Sequence, residues 1–432
     1  MEKLLILGAS KGSAQLIDTA KKHGVWTIIA GPEGWGRSLH SFNADEIWII
    51  DTTELDKLEA RCRNECVTAV LCGISQFNIQ KAIELTDRLG LPFYCTQEAW
   101  RYTTDKRAFK TLCKKCGVPV AKDYSLSGYP TSADLDSIEY PCVVKAVDLS
   151  ANRGMSFCST RDEVVAACEI ARSQSGSDKV IIEKMMKGRE YTAHYALLRG
   201  DAALINFCAM FHEPGYPVNC YSVTSTATDK LRRYLDEVDP FFKEALKEAG
   251  ATNGVAWIEL MLDEDGHFYV LEMGYRLSGD LWASTMRSVC GFDSYKWLID
   301  SVLGGGSHEE RVLPEDQRKL PSRCGVTYII WSDHRGTIGR IDGLEQVGSI
   351  RGVIDVDSAV RVGMQVDAHA YMVVITMECD GHSAAEELIR KINNILEIED
   401  DEGSSLMIKF DDFTTLSSVA MEGISEEGFR TL

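Results

Sequence analysis

Apolar and polar positions change rhythm three times along the chain. At first, short apolar runs ("KLLILGAS", "WTIIAG", "EIWIID", "VTAVLCGI") alternate with amphipathic stretches such as Ala14 to His23. Continuous apolar runs spaced by helical segments mark parallel strands covered on both faces, so an α/β sheet is predicted over about residues 1–95. A helix follows over "TTDKRAFKTLCKKCG", with Thr103 or Thr104 as N-cap and Gly117 as stop. From Pro141 the pattern turns to mixed antiparallel strands: "PCVVKAV", which ends in the polar loop "DLSANRGMS", then "KVIIEKMM" and "EYTAHYALL". Past Gly304, "GGGSHEE" reads as a linker or loop. The last stretch carries the strands "RCGVTYIIW" and "AYMVVITME" and the helix "SAAEELIRKINNIL". Three segments result, 1–95, 96–305 and 306–432, with no internal repeat.

One hairpin stands apart chemically. In "GVAWIELMLDEDGHFYVLEMG" two apolar runs meet at Asp265-Gly266, a strong two-residue turn signal. With those residues as the loop, Glu264 pairs with His267, and counting back sets Glu259 opposite Glu272. Opposed side chains have Cβ atoms ~5 Å apart, and like charges there repel. Glu259 shares its face with Trp257 and Met261, Glu272 with Phe268 and Val270, so a solvated face is a poor explanation. Either the two acids share a proton or a cation lies between them. Mg²⁺ suits such a pair, since it commonly takes one or two carboxylates together with phosphate oxygens; Mn²⁺ is the alternative.

Composition narrows the ligands. With 65 acidic and 46 basic residues, a net charge of −19 repels nucleic acid and anionic lipid, so an anionic ligand needs a local basic pocket. "MEKLLILGAS" reaches polar residues too soon for a signal peptide, and no apolar run approaches membrane-spanning length. Fourteen cysteines lie mostly in apolar segments, as thiols in a reducing cytoplasm would. Cys113 and Cys116 have metal spacing but no second pair, and helix packing explains them better. "GASKGS" lacks the Gly-x-Gly-x-x-Gly order of a dinucleotide site.

Cations do occur at strand and helix ends. Lys145 sits within "VVKAV", Lys106 opens a helix, and Arg276 follows Glu272 by four residues. Ser150, Asn152, Arg153 and Gly154 form a loop whose N–H groups could cradle anionic oxygens. Together these read as a nucleoside triphosphate site.

At this point the chain resembles an ATP-grasp enzyme, and within that superfamily the carboxylate–amine ligases of the L-amino-acid ligase kind. The likeness rests on Lys106, "VVKAVDLSANRGMSF", "VIIEKMMKGREYT" and "WIELMLDEDGHFYVLEMGYRLSG" in that order, between an α/β pre-domain and a C-terminal domain like that of biotin carboxylase. It implies an ATP-grasp fold with a Rossmann-like pre-domain, and a soluble, cytoplasmic enzyme that uses ATP and Mg²⁺. Lys106 and Lys145 resemble the lysines on the ATP phosphates. Glu183 and the backbone of Lys184 and Met186 resemble the adenine hinge, and Glu190 the ribose-binding acid. Residues 148–154 resemble the loop that closes over the phosphates. Glu259 and Glu272 match the metal carboxylates, and Arg276 the base that meets the acyl phosphate. Gly274 departs from the family's frequent Asn, and Tyr275 from its frequent Pro; Gly there allows a strand-to-loop turn but offers the metal no ligand.

The reaction implied joins a small carboxylate to an amine through an acyl phosphate, releasing ADP and phosphate. His212, Glu213, Ser278 and Gly279 are candidates for substrate contact with Arg276. Relatives of this kind often form dimers through the pre-domain and C-terminal domain. Two other readings stay open: a bicarbonate-using carboxylase of the biotin or purine type, and a nucleotide-binding protein without turnover.

Overall fold

The computed structural model describes residues 1–32, 38–124, 129–148, 154–176, 179–213, 219–224, 228–303, 311–317, 323–411 and 413. Four parallel strands, Lys3–Leu7, Trp26–Gly31, Glu46–Ile49 and Ala69–Cys72, form the N-terminal sheet, with the first strand between the second and the fourth. Apart from Lys3 and Trp26, the first, second and fourth strands are buried beneath helices Ser13–Lys22 and Gln76–Leu89, as the unbroken apolar runs require, whereas the edge strand Glu46–Ile49 is only partly covered and Ile49 is exposed.

The N-cap of helix Lys106–Cys116 lies one residue beyond Thr104, the later of the two predicted caps. Thr104 ends the preceding helix, Gln97–Thr104, and Asp105 is the N-cap, accepting from the N–H groups of Arg107 (2.9 Å) and Ala108 (3.0 Å). Thr103 serves elsewhere: its hydroxyl accepts from the Tyr275 N–H at 3.1 Å. The helix stops at Gly117, as expected, and Cys113 packs in its buried face.

Two sheets enclose the space that follows. A small antiparallel sheet orders Asp123–Tyr124, Val180–Lys184, Cys142–Ala146 and Met155–Cys158, and with helix Arg161–Gln174 it has a core of its own. The large sheet has nine strands. It runs from Phe268–Gly274 through Gly254–Asp263, Gly188–Leu198, Asp201–His212 and Asn219–Thr224. It continues without a break into Cys324–Ser332, Tyr371–Cys379 and Val353–Ser358. The sequence boundary at 305/306 therefore has no counterpart in the sheet, and one apolar core spans the N-terminal sheet, the large sheet and the C-terminal strands. No helix among the described residues is long and apolar enough to cross a membrane.

Candidate active site

The acidic hairpin is built differently from its prediction, yet reaches the same pairing. Asp263 faces His267, with the Asp263 N–H donating to the His267 carbonyl (3.0 Å), so three residues rather than two make the turn. Gly266, at φ +83°, takes the left-handed position such a loop needs. That shifts the register by one residue: Leu262 pairs with Phe268 and Leu260 with Val270. A bulge then inserts Leu271, and Glu259 comes to lie opposite Glu272 after all. Two departures cancel. The bulge also corrects the face assignment, because Val270 and Phe268 pair with Leu260 and Leu262 and so lie on the face opposite Glu259. The Val270 N–H donates instead to the Pro119 carbonyl at 2.8 Å.

Around these acids the fold gathers the predicted lysines. Lys145 Nζ lies 2.7 Å from Glu183, whose other oxygen meets Lys110. Burial opposes the charge on Lys145, but Glu183, with Glu272 and Glu259 beyond it, outweighs that and holds the ammonium above its usual range. Glu183 is pulled below the carboxylate range: burial would raise it, but the two lysines win. Expected on the adenine hinge, Glu183 is here the charge partner of both lysines. Lys106, by contrast, is lowered, first by burial and then by Lys145, with Glu272 opposing; its ammonium reaches the Ala146 carbonyl at 3.4 Å. Glu259 is pushed well above the carboxylate range, by burial first and then by Glu272, Glu190 and Asp280. Burial and the neighbouring carboxylates thus disfavour its charged form.

Arg276 completes the group. Burial lowers it while Glu272, Glu259 and Asp280 favour its charge, and its guanidinium lies 5.0 Å from the centre of the Trp257 ring. Gly274 is explained by that ring rather than by turning: a Cβ there would come within 2.3 Å of the Trp257 indole. Tyr275 is fully buried, T-shaped on Tyr94, with its hydroxyl 2.7 Å from the Tyr94 carbonyl, and so anchors the strand end.

Other expected residues take varied places. Ser150, Asn152 and Arg153 lie outside the described residues; Gly154 accepts from the Ala146 N–H at 3.2 Å, and Asp148 from the Ser175 hydroxyl at 2.7 Å. Lys184's N–H donates to Lys122, so a contact from its backbone falls to the carbonyl, and Met186 lies in the segment just after that strand. Glu190 meets His212 at 3.0 Å, which puts His212 beside the expected ribose acid, and Glu213 accepts from the Asp411 N–H at 2.8 Å. Ser278 and Gly279 follow Arg276, and the Gly279 carbonyl accepts from Lys11 of the N-terminal domain at 3.0 Å. Lys110, Asp280, Lys11 and Trp257 were not singled out. A signal existed for two: Lys110 lies one helical turn after Lys106, and Asp280 directly follows the strand-end stretch that closes at Gly279.

An ATP-grasp domain model matches residues 138–285, the span holding Lys145, Glu183, Glu259, Glu272 and Arg276. Residues 138–285 thus match an ATP-grasp domain. It is 24% identical over 351 residues to biotin carboxylase 2, chloroplastic, of Populus trichocarpa, covering 74% of this chain but 65% of that protein. To the phosphoribosylamine–glycine ligase of Caulobacter vibrioides it is 28% identical, covering 69% of this chain and 73% of that one. The crystal structure of L-amino acid ligase from Bacillus licheniformis superposes with a TM-score of 0.76 at 18% identity, over 93% of this chain and 99% of the ligase. At that identity the superposition establishes the fold, an ATP-grasp architecture with its flanking domains.

Proposed function

We propose that the protein is an ATP-dependent ligase that joins a small carboxylate to an amine, with an acyl phosphate between them. The observation that carries this reading is the Glu259–Glu272 pair facing each other on one hairpin, electrostatically linked to Lys106, Lys145 and Arg276. The donor set suits Mg²⁺: two opposed carboxylates, the charge on one of them disfavoured by burial and by its neighbour, and no third acidic, His or Cys side chain joining them among the described residues. Such an ion leaves coordination positions for phosphate oxygens, and when bound it would offset their charge.

The chain's own groups divide the remaining work. Lys106 and Lys145 hold the phosphates; Glu183 and Lys110 fix Lys145 in place. Arg276, braced on Trp257, meets the carboxylate being activated. Its oxygen attacks the terminal phosphorus and ADP leaves; an amine then attacks the carbonyl carbon and phosphate leaves. Positioning and charge neutralisation supply the acceleration, with no nucleophilic side chain required. Dimerisation through the N-terminal and C-terminal domains belongs to the same reading.

The test incubates the protein with ATP, Mg²⁺ and pools of carboxylic and amino acids. ADP, phosphate and an amide are expected; AMP and pyrophosphate would remove the acyl-phosphate route. The likeness to a biotin carboxylase supports one second reading, in which bicarbonate takes the carboxylate's place. ADP release stimulated by bicarbonate and by no other acid would select it.

A further inference from the structure

The loop that carries Arg276 is held from a distant part of the chain. Residues 275–281 join strand Phe268–Gly274 to helix Trp282–Val289. The last of them, Leu281, is buried at φ +59°, a left-handed conformation that strains a leucine and persists only where its surroundings fix it. Part of that support comes from the N-terminal domain. A Cβ at Gly12 would stand 3.5 Å from Leu277 Cδ1, and one at Gly279 would stand 3.6 Å from Ile74 Cδ1. Between these contacts Lys11 Nζ donates to the Gly279 carbonyl at 3.0 Å and lies 3.2 Å from the centre of the Tyr371 ring. The Tyr371 hydroxyl donates to the Asp357 carbonyl at 2.9 Å, which fixes the ring on its own side. One ammonium therefore joins the N-terminal domain, the Arg276 loop and the C-terminal strand Tyr371–Cys379.

Lys11 is itself firmly based. Its carbonyl accepts from the Ile74 N–H at 3.1 Å, and Gly73 approaches so closely that a Cβ there would fall 2.1 Å from the same oxygen. From the loop the support reaches Arg276, whose Nη1 donates to the Leu277 carbonyl at 2.7 Å. The guanidinium thus takes its place from backbone that Lys11 holds two residues further on. Charge points the same way: burial raises Asp280, and hydrogen bonds from Ser278 and the neighbouring backbone, then the charge on Lys11, oppose it.

Resting on the ligase reading above, we propose that Lys11 is a positioning residue for that reaction. Its ammonium, bound between the Gly279 carbonyl and the Tyr371 ring, sets the loop 275–281 and through it the Arg276 guanidinium. Lys106 and Lys145 stand on other elements, so nucleotide binding does not depend on it. The test compares the natural chain with Lys11→Met, Lys11→Arg and Gln15→Leu. Gln15 is the control, because its amide also ties the N-terminal domain to a C-terminal strand, at Asp355 (2.6 Å), through a contact outside the loop. With ATP, Mg²⁺ and the same acid and amine pools, Lys11→Met should lower ADP release roughly ten- to a hundredfold while the KM for ATP stays within about twofold. Lys11→Arg keeps a cation that can stack on the ring and should recover at least about a third of the natural rate. Gln15→Leu should stay within about twofold of the natural rate, as a site that does not touch the loop. Hydrogen exchange needs no turnover, and in Lys11→Met it should quicken in the peptide 275–284 and not across the chain. An equal loss in Gln15→Leu, no recovery in Lys11→Arg, chain-wide quickening, or natural turnover and exchange in Lys11→Met would overturn the proposal. Should Lys11→Met not fold, the natural chain decides: slow exchange over 275–284 supports the clamp, and exchange at the rate of an open chain removes it. If the natural chain turns over no acid in the pools, the ligase reading fails, and the exchange comparison still shows whether Lys11 holds the loop.

Discussion

At the scale of single residues, Glu259 and Gly274 make the sharpest claims. Glu259 stands opposite another carboxylate, and burial and that neighbour push it well above the usual carboxylate range. In the metal-free protein, Glu259→Gln removes a group whose charge folding disfavours, so it should raise the melting temperature by roughly 1–3 °C at about pH 7. With millimolar Mg²⁺ the order should reverse, because the natural chain gains stability by binding the ion and the variant does not. Calorimetry in both conditions reads this, and a Mg²⁺ gain that survives in the variant would contradict the metal assignment. Gly274 makes a second claim. A Cβ at that position meets the Trp257 indole at 2.3 Å, so Gly274→Ala should cost about 1–3 kcal/mol. Most of that cost should vanish in a Trp257→Ala background, since the two side chains then no longer compete for one space. Denaturant melts of the four chains measure the coupling, and additive effects would show that the glycine serves its backbone instead.

Elements show what was legible in the sequence and what was not. The parallel strands and the helix ending at Gly117 could be read from apolar periodicity and a glycine stop, whereas the two-residue turn led to the pairing of Glu259 with Glu272 only because the longer turn and the bulge offset each other. The turn length and the bulge at Leu271 could not be read. A bulge forms where another segment takes up a strand's N–H, and here the Pro119 carbonyl, some 150 residues earlier, accepts from Val270. The site was legible in the same way: charged residues inside apolar strands were visible, while their partners depended on the third dimension. Glu183 is the clearest case, lying between Lys110 and Lys145 on separate elements. Folding lowers Glu183, so its share of stability is fully present above the ordinary carboxylate range, about pH 4.3, and fades as pH falls through the folded value. Folding raises Lys145, so that share is present below about pH 10.4 and fades above it. Glu183→Gln, which leaves two lysines without their partner, should therefore lower stability by about 3–5 kcal/mol near neutral pH. The gap should shrink steadily as the solution is acidified below about pH 4. Thermal melts across that range settle it; a gap that stays constant would mean packing, not charge, is what the substitution disturbs.

On the scale of the whole molecule, the large sheet determines what can be separated. Strand Asn219–Thr224 has Asp201–His212 on one side and Cys324–Ser332 on the other, so the C-terminal segment supplies half of its pairing. The contact is polar as well as apolar: Ser222 and Thr327 share a hydrogen bond of 2.6 Å, the Gly325 N–H donates to the Thr224 hydroxyl at 3.1 Å, and Trp282 Nε1 donates to Ser222 at 3.0 Å. Every one of these groups is buried or close to it, and removing the C-terminal strands would expose an open sheet edge together with the shared core. A chain ending at residue 305 should therefore be insoluble or aggregated, although it keeps every predicted nucleotide and metal residue. The small sheet gives the contrast, since strands Cys142–Ala146 and Val180–Lys184 pack with helix Arg161–Gln174 around a core separate from that of the large sheet. Size-exclusion chromatography of the truncated chain tests the point. A folded, monomeric product that still binds nucleotide would mean that the C-terminal strands lean on the catalytic unit without completing it. Their continuity with the sheet that carries Glu190, Glu259 and Glu272 argues for completion, because strain or loss at one edge is passed along hydrogen-bonded neighbours to the strands that position those acids.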